Sequence, residues 1–260
     1  MNPMRLRQIA LLARDLDQTV ADLSAVLGLD VAYRDPGVAV FGLVNAVLPV
    51  GDTFLEVVSP VRDDASAARL LARRGGDTGY MVIVQVDDLA AARARMQREQ
   101  VRIVFEHAHA AGHTATIHLH PRDVGGAILS LDESKPPESW DWAGREWQRH
   151  VRREVVTKIA GATLASDDAA GLAAHWGALL DRPASALGGG VFAIALDAAT
   201  LRFQPARGRG EGLVGVELVE ASHAARERAL ATAKQRGLRV EGNACWIAGT
   251  ALRLVEAPTP

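Results

Sequence analysis

The sequence predicts an α+β fold made of four copies of one unit, each a strand, an amphipathic helix and about three further strands. Three observations carry this prediction. An apolar strand, an acidic or polar step and a helix recur at roughly 50- to 80-residue spacing, and self-similarity at such a period marks a repeated supersecondary unit. Each helix has a single apolar stripe at helical spacing, so it can cover only one face of a sheet. One helix for about four strands leaves the opposite sheet face free, which is the arithmetic of a layered α+β unit.

The first copy runs from Ile9-Ala10-Leu11-Leu12 through Asp15-Leu16-Asp17 into a helix over 15–29. Leu16, Val20, Leu23, Val26 and Leu27 form its stripe, Asp15 is placed to cap its first turn, and Gly28 to stop it. The second copy runs from Met81-Val82-Ile83-Val84 through Asp87-Asp88 into a helix over 88–100 with Leu89, Ala92 and Met96 inside. The third has Ala162-Thr163-Leu164, Asp167-Asp168 and a helix over 168–180 with Leu172, Trp176, Leu179 and Leu180. The fourth has Gly215-Val216-Glu217-Leu218, Ser222 and a helix over 222–237 closed by Gly237. The later strands of copy one are expected near 31–34, 38–44 and 53–58, and those of copy two near 101–107, 114–120 and 127–131.

Composition excludes several classes. Of 260 residues, 48% are hydrophobic and 23% charged, an ordinary globular balance. A net charge of −2 gives no footprint for nucleic acid. No apolar run reaches the roughly 18 residues of a membrane span, and Met1-Asn2-Pro3-Met4-Arg5 does not open a signal peptide; the expected compartment is the cytoplasm. The one cysteine, Cys245, lies in strand-like sequence and reads as a buried structural thiol.

Residues 133–150 interrupt the repeat. Pro136-Pro137 ends the preceding strand, and Trp140, Trp142 and Trp147 follow. A free linker is poor in aromatics, so this one is expected to pack. The organisation predicted is a first domain over 1–133 with two units, a Trp-rich linker over 134–152, and a second, degenerate domain over 153–260. Gly188-Gly189-Gly190 and Gly208–Gly212 read as loops because neither opens a helix after a strand. Arg73-Arg74-Gly75-Gly76 reads as a connector whose arginines could meet an anionic ligand.

Used in pairs, this unit resembles the vicinal oxygen chelate superfamily, which includes glyoxalases, bleomycin-resistance proteins, extradiol dioxygenases and methylmalonyl-CoA epimerase. The residues that carry the resemblance are Ile9-Ala-Leu-Leu-Ala-Arg-Asp-Leu-Asp17 with Val26-Leu-Gly-Leu29, Val84-Gln-Val-Asp-Asp-Leu-Ala90, Phe54-Leu-Glu-Val-Val-Ser-Pro60 and His120-Pro-Arg-Asp-Val-Gly-Gly126. The last run is most similar to the epimerase and glyoxalase branches. The resemblance implies two tandem glyoxalase-like domains, each with two βαβββ units closing their free sheet faces around a cup.

In that superfamily four cup positions, on the first and last strands of each unit, hold a divalent metal. They map here to Gln8, Glu56, Met81 and Ser130. Gln8 and Glu56 suit Zn²⁺, Mn²⁺, Fe²⁺, Co²⁺ or Ni²⁺, whereas the Met81 thioether and the short, neutral Ser130 depart from the pattern. The second half maps to Gly161, Leu201, Val214 and Arg253, with no ordinary ligand set. The resemblance thus leaves both a metal and no metal open.

Five of the eight histidines fall between 107 and 120. The segment reads as a hairpin turning at Ala110–His113. Pairing 109 with 114 puts Val101, Ile103, Phe105, His107 and His109 on one face with Thr114, Thr116, His118 and His120. On the functional reading His118, with His120 beside it, faces the pocket and serves as a ligand or as a general acid–base. On the other, His107, His109 and His113 are solvated near the tip and His120 caps the strand before Pro121. Glu56 interrupts an apolar strand, so its carboxylate needs a partner: a metal, a substrate proton or an arginine such as Arg5 or Arg7.

Two functions follow. One is a lyase, isomerase or dioxygenase-like enzyme acting on a small oxygenated substrate in the N-terminal cup, with Glu56 and His118 catalytic and Gln8, Met81, His120 and Ser130 lining the pocket. A metal, if present, would sit on Gln8, Glu56 and His118. The alternative is a metal-free protein that binds or sequesters a small molecule. Neither involves nucleic acid or membrane, and the chain is expected as a monomer or homodimer.

Overall fold

A computed structural model describes residues 3–109, 113–208 and 210–257. The elements follow in chain order: β1 (Met4–Leu12), α1 (Leu16–Leu27), β2 (Leu43–Val50), β3 (Thr53–Pro60), α2 (Ser66–Arg74), β4 (Thr78–Val86), α3 (Leu89–Arg98), β5 (Ile103–Ala108), β6 (Thr114–Leu119), α4 (Pro121–Val124) and β7 (Ile128–Ser134). The second half contains β8 (Val156–Ser166), α5 (Ala169–Leu180), β9 (Ala184–Gly188), β10 (Val191–Leu196), β11 (Ala199–Pro205), β12 (Gly212–Glu220), α6 (His223–Gln235), β13 (Val240–Glu241), β14 (Ala244–Ile247) and β15 (Thr250–Val255). The strands form sheets of seven and eight strands, so the α+β class and the fourfold repeat are both present.

The four long helices start the same way because the sequence supplies the same cap. Asp15, Asp88, Asp168 and Ser222 each accept a hydrogen bond from the backbone N–H three residues on, at Gln18, Ala91, Gly171 and Ala225. That side-chain oxygen satisfies one of the donors a helix start leaves unpaired. Gly28 ends α1 with φ of 68°, a left-handed conformation that favours glycine. The modules close alike: β4 pairs in parallel with β7, β8 with β11 and β12 with β15. The first and last strands of a module are thus neighbours, and the helix between them crosses one face.

By contact density the chain divides into two compact units that interleave along the sequence. One contains Met1–Gln8, Tyr80–Asp141 and Gly161–Val214, and therefore the second and third modules. In it the strand orders are β4-β7-β6-β5 and β8-β11-β10-β9. Val82, Val84, Ile117, Leu119, Leu129 and Leu131 are buried with Leu89, Ala92 and Met96 of α3. The other contains Ile9–Gly79, Trp142–Ala160 and Gly215–Pro260, and therefore most of the first module and the fourth. There α1 packs against α6, and Arg236 of α6 bridges to Asp22 of α1 at 2.7 Å. Cys245 is buried there, as expected, and burial pushes its thiol up to about 11.

One local expectation needs correction. No strand forms over 31–34, where only Tyr33 makes a single bridge to Val47, and 36–41 is a 3-10 helix with β2 beginning at Leu43. The reason is Asp35-Pro36-Gly37: the Asp35 carboxylate accepts from Gly37 N–H at 2.8 Å, and Pro36 lies in the first turn. The expected connector at Arg73-Arg74-Gly75-Gly76 does lie between the first two modules, where it ends the helix α2, closed by Gly75 at φ of 72°. The expected turn residues Ala110, Ala111 and Gly112, together with Arg209 of the second glycine-rich stretch, lie outside the described residues.

The shared cap gives a direct test. Asp15→Ala should lower stability by about 1 kcal/mol, and Asp15→Ser should retain most of it, measured as the shift in urea unfolding midpoint at constant slope.

Candidate functional site

On one face of the first unit's sheet, β6 and β7 carry polar residues at alternate positions, joined by Gln85 of β4. Register opposes Gln85 of β4 to Asp132 of β7, Ile83 to Ser130 and Met81 to Ile128. On the other side of β7, Thr114, Thr116 and His118 of β6 oppose Ser134, Asp132 and Ser130. Because side chains alternate between sheet faces, Gln85, Thr114, Thr116, His118, Ser130, Asp132 and Ser134 share the face turned from α3. Gln85, Thr114, Thr116, Ser130, Asp132 and Ser134 are buried, and His118 is half-buried.

Hydrogen bonds stitch this face together. Thr116 Oγ1 lies 2.8 Å from Ser130 Oγ and donates to Asp132 Oδ1 at 2.9 Å, and Ser130 Oγ also donates to Asp132. Thr114 and Ser134 hydroxyls meet at 3.2 Å. His118 packs against Phe105 with the rings tilted by 44° and their centroids 4.9 Å apart. The expected hairpin register holds from Phe105 to His109, where Phe105 opposes His118, His107 opposes Thr116 and His109 N–H donates to Thr114 O; a register shift between Ile103 and Phe105 then pairs Ile103 with Leu119, not with His120 as expected.

Gln8 lies in the middle of β1 and is 2% exposed; its Oε1 accepts from Trp140 Nε1 at 2.8 Å. Trp140, 1% exposed, belongs to the segment that follows β7, and the Arg7 guanidinium lies 5.2 Å from its ring centroid. Met81 is a buried β4 residue. His120 is the N-cap of α4: its Nδ1 accepts from Arg122 N–H and lies 3.2 Å from Arg102 NH2. Arg102 also clasps the Asp123 carboxylate and holds it well below the usual carboxylate range. His109 and His113 sit 3.5 and 3.9 Å from the Asp141 carboxylate.

Glu56 belongs to the second unit and is 7% exposed. Its Oε1 accepts from Asn45 Nδ2 at 2.7 Å, and Asn45 Oδ1 in turn accepts from Asp35 N–H at 2.7 Å. The amide is therefore fixed in orientation, and it fixes the carboxylate. Close by in sequence, Phe54 meets Trp147 edge-on at 5.0 Å.

The side chains present do not fit a divalent ion held in the superfamily manner. The Gln8 carboxamide oxygen accepts an indole N–H, the Ser130 hydroxyl is committed to Asp132 and Thr116, and Met81 offers a soft thioether. Among the described residues, no group of three or more His, Cys, Asp or Glu side chains could hold a metal ion. Asp132, Gln85, Asn45 and Trp140 are the participants that sequence reasoning missed. Asp132 had a signal, the period-two alternation of Ser130, Asp132 and Ser134 with Leu129 and Leu131; Gln85 follows the apolar run Met81-Val82-Ile83-Val84 and had none.

Desolvation makes His118 a reporter of this face. Burial disfavours the imidazolium and pushes His118 down to about 4 from an ordinary 6.5. The unfolded chain then binds the proton that the folded one refuses, so stability is complete above pH 6.5 and falls as pH drops toward 4. His118→Phe, which keeps an aromatic partner for Phe105, should remove this part of the pH dependence in urea midpoints measured between pH 7 and pH 4. An unchanged slope would count against the buried neutral imidazole.

A glyoxalase-like domain profile matches residues 9–180, more than half of the chain. Over 131 residues the chain is 28% identical to the mitochondrial methylmalonyl-CoA epimerase of Bos taurus, covering 50% of this chain and 74% of that protein. It is 26% identical over 135 residues to the ethylmalonyl-CoA/methylmalonyl-CoA epimerase of Cereibacter sphaeroides, covering 50% of this chain and 97% of that one. In structure it is similar to the Mn(II)-bound glyoxalase from Novosphingobium aromaticivorans, with a TM-score of 0.68 at 15% identity over 97% of this chain and 82% of that one. At that identity the likeness shows the fold alone. A hypothetical protein from Staphylococcus aureus gives a TM-score of 0.67 at 13% identity over 98% of this chain and all of that one. Repeat, strand pairing and profile agree, and the chain belongs to the glyoxalase-like family of the vicinal oxygen chelate superfamily.

Proposed function

We propose that this protein binds a small oxygenated molecule on the polar sheet face of its N-terminal modules and does so without a metal ion. The observation that carries this reading is the Gln8 carboxamide oxygen accepting from Trp140 Nε1, with Ser130 tied to Asp132. Two of the four superfamily ligand positions are thereby spent on the protein's own hydrogen bonds, and a third is Met81. The similarity to epimerases supports a small-molecule ligand, and the mixture of hydroxyls, amides and a carboxylate supports an oxygen-bearing one. A division into 1–133, 134–152 and 153–260, a cytoplasmic location and a monomer or homodimer belong to the same reading.

One observation favours a second reading, proton transfer by Glu56. A nearly buried carboxylate oriented through Asn45, itself fixed by Asp35 N–H, is arranged as a positioned base.

Two measurements separate these readings from the metalloenzyme. After saturation with Zn²⁺, Mn²⁺, Fe²⁺, Co²⁺ or Ni²⁺ and desalting, the protein should retain well under one metal per chain; about one tightly held ion per chain would overturn the metal-free reading. Incubation with methylmalonyl-CoA in deuterium oxide tests the base. On the second reading the α-proton exchanges, and Glu56→Gln slows the exchange by roughly 10²- to 10⁴-fold. No exchange by the wild type leaves binding alone.

A further inference from the structure

The segment that follows β7 lies on the polar face. Its backbone offers that face a run of consecutive carbonyls: Gln85 Nε2 donates to Pro137 O at 2.7 Å, Arg7 NH2 donates to Glu138 O at 3.0 Å and Ser134 Oγ donates to Ser139 O at 2.7 Å. Its N–H groups are taken as well, Trp140 Nε1 by Gln8 Oε1 at 2.8 Å and Asp141 N by Thr114 Oγ1 at 3.4 Å. At its start Lys135 N–H donates to His113 O at 2.7 Å.

A strap whose only task was to shield a sheet would be expected over apolar side chains, because burying polar groups gains little and each one left unsatisfied keeps its full desolvation penalty. Here it covers the Thr114 and Ser134 hydroxyls and the Gln8 and Gln85 amides. The match is also incomplete: Gln85 is 5% exposed, yet its Oε1 has no hydrogen-bond donor among the described residues. A buried acceptor left open beside a polar cluster is the mark of a face shaped for another occupant.

We infer that residues 135–141 are a displaceable internal stand-in for the ligand, and that the ligand is a small acyl or amide compound. It would present two or three carbonyl or carboxylate oxygens to Arg7, Gln85 and Ser134, and an N–H or O–H donor to Gln8 and to the open Gln85 Oε1. This inference rests on the small-molecule reading above and adds the ligand's chemical class and the event that admits it, release of the strap.

Hydrogen exchange of the wild-type protein, followed by mass spectrometry, tests release. The amides of Glu138, Ser139, Trp140 and Asp141 should exchange at least about tenfold faster than those of β6 and β7, because the strap opens without the sheet. Exchange of strap and sheet at one common rate would overturn the inference. The second arm uses the strap's own sequence as the probe, a labelled synthetic peptide Lys-Pro-Pro-Glu-Ser-Trp-Asp. The tethered strap excludes it from the wild type by its high effective concentration, so Trp140→Ala should bind it at least about tenfold more tightly. Trp140→Phe, which loses the indole N–H and keeps the ring packing, takes its place if the alanine variant does not fold. A folded variant that binds no better than wild type would overturn the inference. Because the peptide is not a metabolite, peptide binding with no small-molecule ligand would sink the functional reading and leave the strap. A metabolite that binds with strap exchange unchanged would do the reverse.

Discussion

A buried polar sheet face has to be satisfied from somewhere, and that requirement organises the first unit. Thr114, Thr116, Ser130, Asp132 and Ser134 point to the same side of β6 and β7, where the opposite side is filled by Ile117, Leu119, Leu129 and Leu131 beneath α3. Once strand register is set by that apolar side, the polar side has no freedom to slip, since a one-residue shift would exchange the two sets. The hydroxyls satisfy one another and Asp132, and the chain that follows β7 meets most of the remaining donors and acceptors, leaving Gln85 Oε1 open among the described residues. The Trp-rich segment is therefore part of the sheet's hydrogen bonding.

The same requirement bears on chemistry. The resemblance maps the superfamily's metal-ligand positions to residues that here are an amide engaged with an indole, a hydroxyl engaged with a carboxylate and a thioether. Glu56 keeps a carboxylate but orients it through Asn45. Such partners stabilise a side chain where it stands and oppose its recruitment to an ion, because a ligand atom would first have to give up a buried hydrogen bond. The fold is preserved while the donor set is spent, which is how one scaffold comes to host unrelated functions.

Much of this was legible in the sequence, in proportion to how local the cause is. The four caps, Asp15, Asp88, Asp168 and Ser222, could be read because a cap acts over three residues. The β5–β6 register could be read because a hairpin relates neighbours. Asp35-Pro36-Gly37 was also local, yet its turn chemistry lost to the apolar run Val38-Ala39-Val40-Phe41, which imitates a strand. The site was legible only in part. Gln8 and Trp140 are 132 residues apart, and no pattern in either neighbourhood announces the bond. Asp132 is legible from the alternation of Ser130, Asp132 and Ser134 with Leu129 and Leu131 within β7.

The central claim is that Gln8, at a superfamily ligand position, serves the fold through Trp140. A double-mutant cycle on Gln8→Leu and Trp140→Phe, read from urea unfolding, tests it most directly. The account predicts a coupling free energy of about 0.5–1.5 kcal/mol, the usual net worth of one hydrogen bond. Additive single-mutant effects, or a Gln8→Leu variant as stable as the wild type, would contradict it.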